Sequence, residues 1–236
     1  LSLRKRRYRP KKRFFLTVLI LIVIAAGALY YTGNLPFAWY GAAHFGIETV
    51  KSTVDYDGDG VDDYTDIMQG ARQDAKTHPT YDDRYWDTGY PPDDIGVCAD
   101  VIWRAFKDAG YSLRDMVDSD IGARIDAYPR VTERDANIDF RRVKNLRVFF
   151  DTYALSLTLD PDAIDAWQPG DIVIWGDDKH IGIISDRRNA EGQAYVIHNA
   201  GQPFREENAL TRAEITGHYR FDASRIDGDV LMAWQE

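Results

Sequence analysis

CADVIWRAFKDAG, residues 98–110, is the stretch on which the reading of this chain turns. Val101, Ile102, Ala105, Phe106 and Ala109 recur at helical spacing, and Gly110 just past them is a C-cap, so the pattern predicts an amphipathic helix over 98–109. Its first residue, Cys98, is the only cysteine among 236 residues. Free backbone N–H groups and the positive end of the helix dipole favour a thiolate there, and an adjacent imidazole would lower the thiol pKa further, so Cys98 reads as a nucleophile. A lone cysteine without context reads instead as a small buried hydrophobe. With no second cysteine, an intramolecular disulfide is excluded.

The histidines that decide between those readings come later. WQPGDIVIWG (167–176) reads as a turn feeding a buried strand, KHIGIISD (179–186) as the next strand, and AYVIHNA (194–200) as its hairpin partner across RRNAEGQ. His180 opens one strand and His198 closes the other, so antiparallel pairing brings the two imidazoles together. Asp139, Arg141 and Arg142 head a further amphipathic helix with Val143, Leu146, Phe149 and Phe150 on its apolar face. Those arginines suit a substrate carboxylate, or equally a solvated first turn with an acidic cap. Nothing repeats at a solenoid period, and no phosphate loop, dinucleotide fingerprint or zinc-ligand spacing occurs.

The N-terminal segment is of a different kind. Residues 4–13 carry eight Lys and Arg and no acid, and FFLTVLILIVIAAGALYY (14–31) follows, broken only by Thr17 and Gly27. Such a run is long enough to cross a bilayer, with Tyr30, Tyr31, Trp39 and Tyr40 as interface aromatics and the basic flank in the cytoplasm. The sequence therefore predicts a retained, single-pass plasma-membrane anchor with the C-terminal bulk extracytoplasmic; a cleaved signal peptide is the alternative. Of the 29 Lys and Arg, 21 lie outside that basic segment against 38 Asp and Glu, a formal −17 that would repel nucleic acid and argues against it as a partner.

After a juxtamembrane linker comes DYDGDGVDDYTD, residues 55–66. With Asp55 as position one, Asp57, Asp59, the Val61 carbonyl, Asp63 and Asp66 fall at the oxygen positions of an EF-hand-type loop, and Gly60 falls at its tight turn. So many carboxylates repel one another unless a cation neutralises them. The loop is read as a structural Ca²⁺ site, with a solvated acidic turn capping the following helix as the alternative. Position twelve is Asp rather than Glu, which resembles the solitary calcium loops of extracellular bacterial proteins.

GVCADVIWRAFKDAGYSL (96–113), QPGDIVIW (168–175), HIGIISD (180–186) and VIHNA (196–200) together resemble the NlpC-type branch of the papain-like cysteine peptidases and amidases. More narrowly, YPPDD (90–94), NIDFRRVKNL (137–146) and GHYRF (217–221) resemble a bacterial subfamily of unknown function within it, the likeness covering about residues 50–236. The resemblance implies an α+β, papain-like fold, a nucleophile helix packed on an antiparallel sheet, preceded here by one transmembrane helix. It implies Cys98 as nucleophile, His180 as base and His198 as the residue orienting His180. Val97-Cys98-Ala99-Asp100 stands where the family has Asp-Cys-Ser-Gly, a departure that bears on the substrate subsite more than on the nucleophile. Asp100, Arg141, Arg142 and Asn199 are the candidate substrate-binding residues.

The organisation expected is a basic cytoplasmic tail (1–13), a membrane anchor (14–31), a linker (32–50), a calcium-type loop and helix (51–80) and a papain-like catalytic domain (81–236). The resemblance and the location imply a cysteine amidohydrolase acting on peptidoglycan stem peptides. Two other classes stay open: a non-catalytic, calcium-stabilised cell-wall binding module, and a zinc hydrolase using Cys98, His180 and His198.

Overall fold

Residues 172–197 explain the architecture. Along Ile172–Trp175 and His180–Arg188, successive side chains point to opposite faces and both faces are buried: Ile172, Ile174, Ile181 and Ile183 enter one hydrophobic core, Val173, Trp175 and Ile184 another. A strand covered on both sides reads as a continuous apolar run, which is how these segments look in the sequence.

The structure, a computed structural model, describes residues 12–31 and 39–235. In chain order its elements are α1 (Lys12–Tyr31), α2 (Asp63–Thr77), β1 (Thr80–Tyr81), β2 (Ile95–Gly96), α3 (Cys98–Asp108), α4 (Leu113–Arg124), α5 (Val143–Tyr153), β3 (Leu155–Ser156), β4 (Ile172–Trp175), β5 (His180–Arg188), β6 (Ala194–Ile197), β7 (Glu206–Glu207) and β8 (Ile215–Arg220). Six strands form an antiparallel sheet in the order β3-β8-β4-β5-β6-β7, and β1 and β2 make a separate parallel pair. The first core joins this sheet to Ile67 and Ala71 of α2, Ile102 and Phe106 of α3, Val117 of α4 and Phe149 and Phe150 of α5. The protein is thus α+β, with the helix begun by Cys98 packed on β5.

Three local features set the frame for the site. Asp171 of the Pro-Gly-Asp turn accepts from the Gln168 backbone N–H at 2.9 Å, from Arg220 at 2.7 and 2.8 Å, and lies 3.0 Å from His218 Nε2, so the turn that starts β4 is tied to β8. Gly110 ends the α3 segment with φ +81°, a conformation that favours glycine, and a Cβ there would lie 2.7 Å from Asp57 Cβ. Residues 139–142 do not begin a regular helix as read from the sequence: Asp139–Arg141 is a 3₁₀ turn and α5 starts at Val143.

The predicted anchor lies on α1, whose apolar side chains Phe14 to Ile24 are exposed. Among the described residues no helix is long and apolar enough to cross a membrane. The basic segment 1–11 and linker residues 32–38 lie outside the described residues. Trp39 and Tyr40, expected as interface aromatics, contact the folded domain. Tyr40 exchanges backbone hydrogen bonds with Arg188 at 2.8 Å each way, and Trp39 lies under the Arg187 guanidinium at 4.9 Å.

Candidate functional site

The site starts with the cap of α3. Val97 is the N-cap and has no side-chain oxygen to offer; instead the carboxylate of Asp100, three residues on, accepts from the Val97 N–H at 2.7 Å. The same carboxylate takes the Trp103 indole N–H at 2.8 Å and two bonds from Arg141, Nε at 2.7 Å and Nη2 at 2.9 Å. Both side chains of this ion pair are essentially buried, 0% and 1% exposed. The Asp100 carboxylate is therefore saturated by four protein donors, and Arg141, which also lines the cavity at Cys98, is held in this pair instead of standing free as a clamp. Asn199 is corrected on the same ground. It is buried, donates to the carbonyls of Pro79 (3.3 Å) and Gly96 (2.9 Å), and accepts from the Gly201 N–H (3.0 Å), holding loops rather than a ligand. Arg142 differs, being half-exposed beside Asp139 at 2.9 Å.

Cys98 occupies the first position of α3 and is buried; its sulfur faces the backbone N–H groups of Ile181 and Ala99. Ile181 is the residue after His180, so packing of α3 on β5 brings thiol and imidazole to neighbouring positions, although among the described residues no hydrogen bond joins them. The second pair is direct: His180 Nε2 lies 3.0 Å from His198 Nδ1 with the rings perpendicular. Gly182 makes this possible, since a Cβ there would meet Val196 Cγ1 at 2.7 Å and His198 Cβ at 3.1 Å. Trp175 lies against both rings.

Sequence reasoning missed the other neighbours of His198. Its Nε2 is 3.2 Å from Glu207 Oε1, and Gln202 Nε2 and Arg212 Nη1 lie between 3.1 and 3.4 Å of both ring nitrogens. No spacing in the sequence announces Glu207. It stands on a two-residue strand whose place comes only from pairing, Val196 opposite Glu207, which puts Glu207 on the same face as His198.

Burial dominates the electrostatics. It pushes the Cys98 thiol up to about 11 despite the N–H groups of Ile181 and Ala99, so the expected thiolate is overruled in the resting protein. Burial, then the neighbouring His198 and Arg212, push His180 down to about 3, and His198 is lowered as well. Thiol and imidazoles are neutral at pH 7. Cys98 opens on a cavity of about 440 Å³ whose charged lining is Arg130, Arg141, Arg142, Lys144 and Lys179 against Asp83 and Asp178. The imidazoles do not line it, though Lys179 immediately precedes His180. Five cations against two carboxylates around one thiol run against the acidic surplus of the chain.

The acidic loop is built differently from its sequence pattern. Asp55, Asp57 and Asp59 are exposed, each offering an oxygen within 4.8 Å of the others. Asp55 accepts from the N–H groups of Gly58, Asp59 and Gly60 at 2.8–3.1 Å, and Asp59 from Val61 at 2.8 Å. Asp63 is not a ligand: it is fully buried and accepts from Tyr111 Oη at 2.6 Å and the Tyr56 N–H at 2.9 Å. Asp66 is buried, and burial with the charges of Asp59 and Asp57 pushes it up to about 7.

A family model described as "Domain of unknown function (DUF1287)" matches residues 68–221. The chain belongs to the DUF1287 family. "Uncharacterized protein YijF" of Escherichia coli (strain K12) is 36% identical over 165 residues, 66% of this chain and 80% of that protein. No solved structure matches the chain. The DUF1287 match contains Cys98, Asp100, Arg141, His180, His198 and Glu207, and begins after the Asp55–Asp66 loop.

Removing Arg141 strands a buried carboxylate, so Arg141→Ala should cost about 3–5 kcal/mol in a denaturant titration, while Arg142→Ala, half-exposed, should cost under about 1 kcal/mol. Equal effects would contradict the structural role given to Arg141. The thiol has its own test. With its pKa raised, native Cys98 should react with iodoacetamide more slowly at pH 8 than the denatured chain does, and its rate should climb with pH toward about 11. A native rate above the denatured one overturns the neutral resting state.

Proposed function

We propose that this protein is a membrane-anchored, extracytoplasmic cysteine amidohydrolase of papain-like, NlpC-type fold that cleaves an amide bond in peptidoglycan stem peptides. One observation carries the reading: a cysteine at a helix start whose sulfur faces the N–H of the residue following His180, with His198 3.0 Å behind that imidazole. The chemistry then runs as acyl transfer. As the Cys98 sulfur attacks the amide carbonyl, its proton passes to His180; the C–N bond breaks as His180 returns that proton to the leaving amine; water hydrolyses the thioester and restores the thiol. With a neutral resting pair, proton transfer accompanies attack instead of preceding it. The Cys98 backbone N–H, at the start of α3, is suited to hold the oxyanion. The cationic rim supports an acyl donor bearing carboxylates, as stem peptides do. Exposed apolar side chains along α1 support lipid as their cover, with the basic segment before them cytoplasmic.

A second reading, a non-catalytic cell-wall binding module, is favoured by the same electrostatics: a raised thiol and lowered imidazoles also suit a site that binds without turning over. The zinc reading fares worse, since His198 has His180 at one ring nitrogen and Glu207 at the other. Incubation of the full chain with defined muropeptides, read by product mass, separates them. Cleavage is expected in the wild type and none in Cys98→Ala. Binding without cleavage by the wild type overturns the hydrolase, and wild-type turnover by Cys98→Ala overturns the nucleophile.

Calcium belongs to this reading as a structural ion held by Asp55, Asp57 and Asp59, with Asp66 nearby; the raised Asp66 and three converging carboxylates are what a divalent ion would relieve. Calcium should raise the thermal midpoint by mass action and chelation should reverse it, about 2.7 kcal/mol at a hundred times Kd. Asp55→Ala with Asp59→Ala should erase that shift, whereas Asp63→Ala should lower the midpoint with or without calcium. No shift at millimolar calcium reduces the loop to an acidic turn.

A further inference from the structure

The neighbours of His198 fix more than its position. A carboxylate oxygen attracts an N–H and repels a lone pair, so Glu207 Oε1, in ion-pair contact 3.2 Å from His198 Nε2, draws the proton of His198 to Nε2. A neutral His198 then presents a bare Nδ1 to its other partner, and His180 Nε2, 3.0 Å away, must be the donor. A neutral His180 with its proton on Nε2 has its lone pair on Nδ1. That atom makes no hydrogen bond among the described residues.

Gln202 and Arg212 do not compete for these positions. Each places one nitrogen at nearly equal distance from both ring nitrogens of His198, 3.1 and 3.4 Å for Gln202, 3.3 and 3.2 Å for Arg212. An atom equidistant from the two lies over the ring, not along either lone-pair direction, so neither displaces His180 from Nδ1. Gln202 is itself anchored, its amide donating to the His198 carbonyl at 3.0 Å and accepting from Ala200 at 2.7 Å. The cations facing this ring, Arg212 and Arg205, together with burial, hold His198 in the neutral form that the relay needs.

We propose that Glu207 is a positioning residue of the site: through His198 it fixes the tautomer of His180 that leaves Nδ1 free to take the thiol proton. The catalytic part of this inference rests on the amidohydrolase reading; the chain of contacts Glu207–His198–His180 does not. When His180 becomes an imidazolium, its Nε2–H donates to His198, whose Nε2 side faces Glu207 at 3.2 Å, so the carboxylate stabilises that charge across one intervening ring.

The tautomers can be observed directly in long-range ¹H–¹⁵N spectra of the full chain in detergent micelles, labelled with ¹⁵N-histidine and assigned with His180→Gln and His198→Gln. Both His180 and His198 should carry their proton on Nε2 at pH 7. In Glu207→Ala, His180 should become a mixture of tautomers, and kcat on muropeptides should fall about 10- to 100-fold with KM little changed, the usual cost of losing the partner that orients a histidine. Glu207→Asp should recover part of both. A wild-type His180 protonated on Nδ1 overturns the proposal, as does a folded Glu207→Ala with unchanged tautomers and kcat; should that variant not fold, the wild-type spectrum decides alone. Correct tautomers in a protein that cleaves nothing would leave the role of Glu207 in setting them standing and sink the hydrolase.

Discussion

The buried pair of Asp100 and Arg141 is the constraint on which the rest of the site depends. Taking two charges out of water costs several kcal/mol per ion, and their attraction offsets this only with good geometry and further hydrogen bonds. Both conditions hold: two bonds join the pair, and the Val97 N–H and Trp103 indole fill the remaining acceptor sites. Such a pair contributes geometry more than stability. It fixes where α3 begins, and so where Cys98 sits, and joins that point to the turn leading into α5. Through Trp103 the constraint spreads to an aromatic group of Tyr90 and Trp234.

The same helix is held at its far end by the acidic loop. Asp57 packs on Gly110, and Asp63 turns inward to Tyr111, whose ring stacks on Tyr56 at 4.1 Å. The twelve-residue pattern thus divides into two jobs. Asp55, Asp57 and Asp59 face solvent as a group able to share a cation, while Asp63 is a buried anchor satisfied by protein donors. Pinned at both ends, α3 holds Cys98 at one position along β5, and the distance from thiol to imidazole depends on that position.

Burial also changes what the residues do. A helix start by itself favours a thiolate, but in this interior desolvation outweighs the dipole, which contributes at most about 2 kcal/mol even in partly buried sites. The imidazoles are driven the same way, toward neutrality. In the proposed acyl transfer, control of reactivity passes from charge to proton position: which nitrogen of His180 is bare matters more than how acidic the thiol is, and that is set by contacts among β5, β6 and β7.

Much of this was legible in the sequence because it depends on local order. The apolar spacing of 98–109 and Gly110 gave α3 to within a residue of its observed end, and the turn-bounded apolar runs gave β4, β5 and β6, since side-chain period and glycine conformation are properties of neighbours in the chain. The adjacency of His180 and His198 followed from one hairpin. What the sequence could not decide were matters settled by distant segments meeting: that Asp100 and Arg141 saturate each other, that Asn199 holds loops, that Asp63 turns inward, that the thiol is buried deeply enough to lose its charge. Glu207 is the clearest case. It lies nine residues past His198 on a strand too short to be recognised alone, and only the pairing of β7 with β6 puts its carboxylate at the imidazole, because side-chain partners across a sheet are chosen by register, a property no single strand carries.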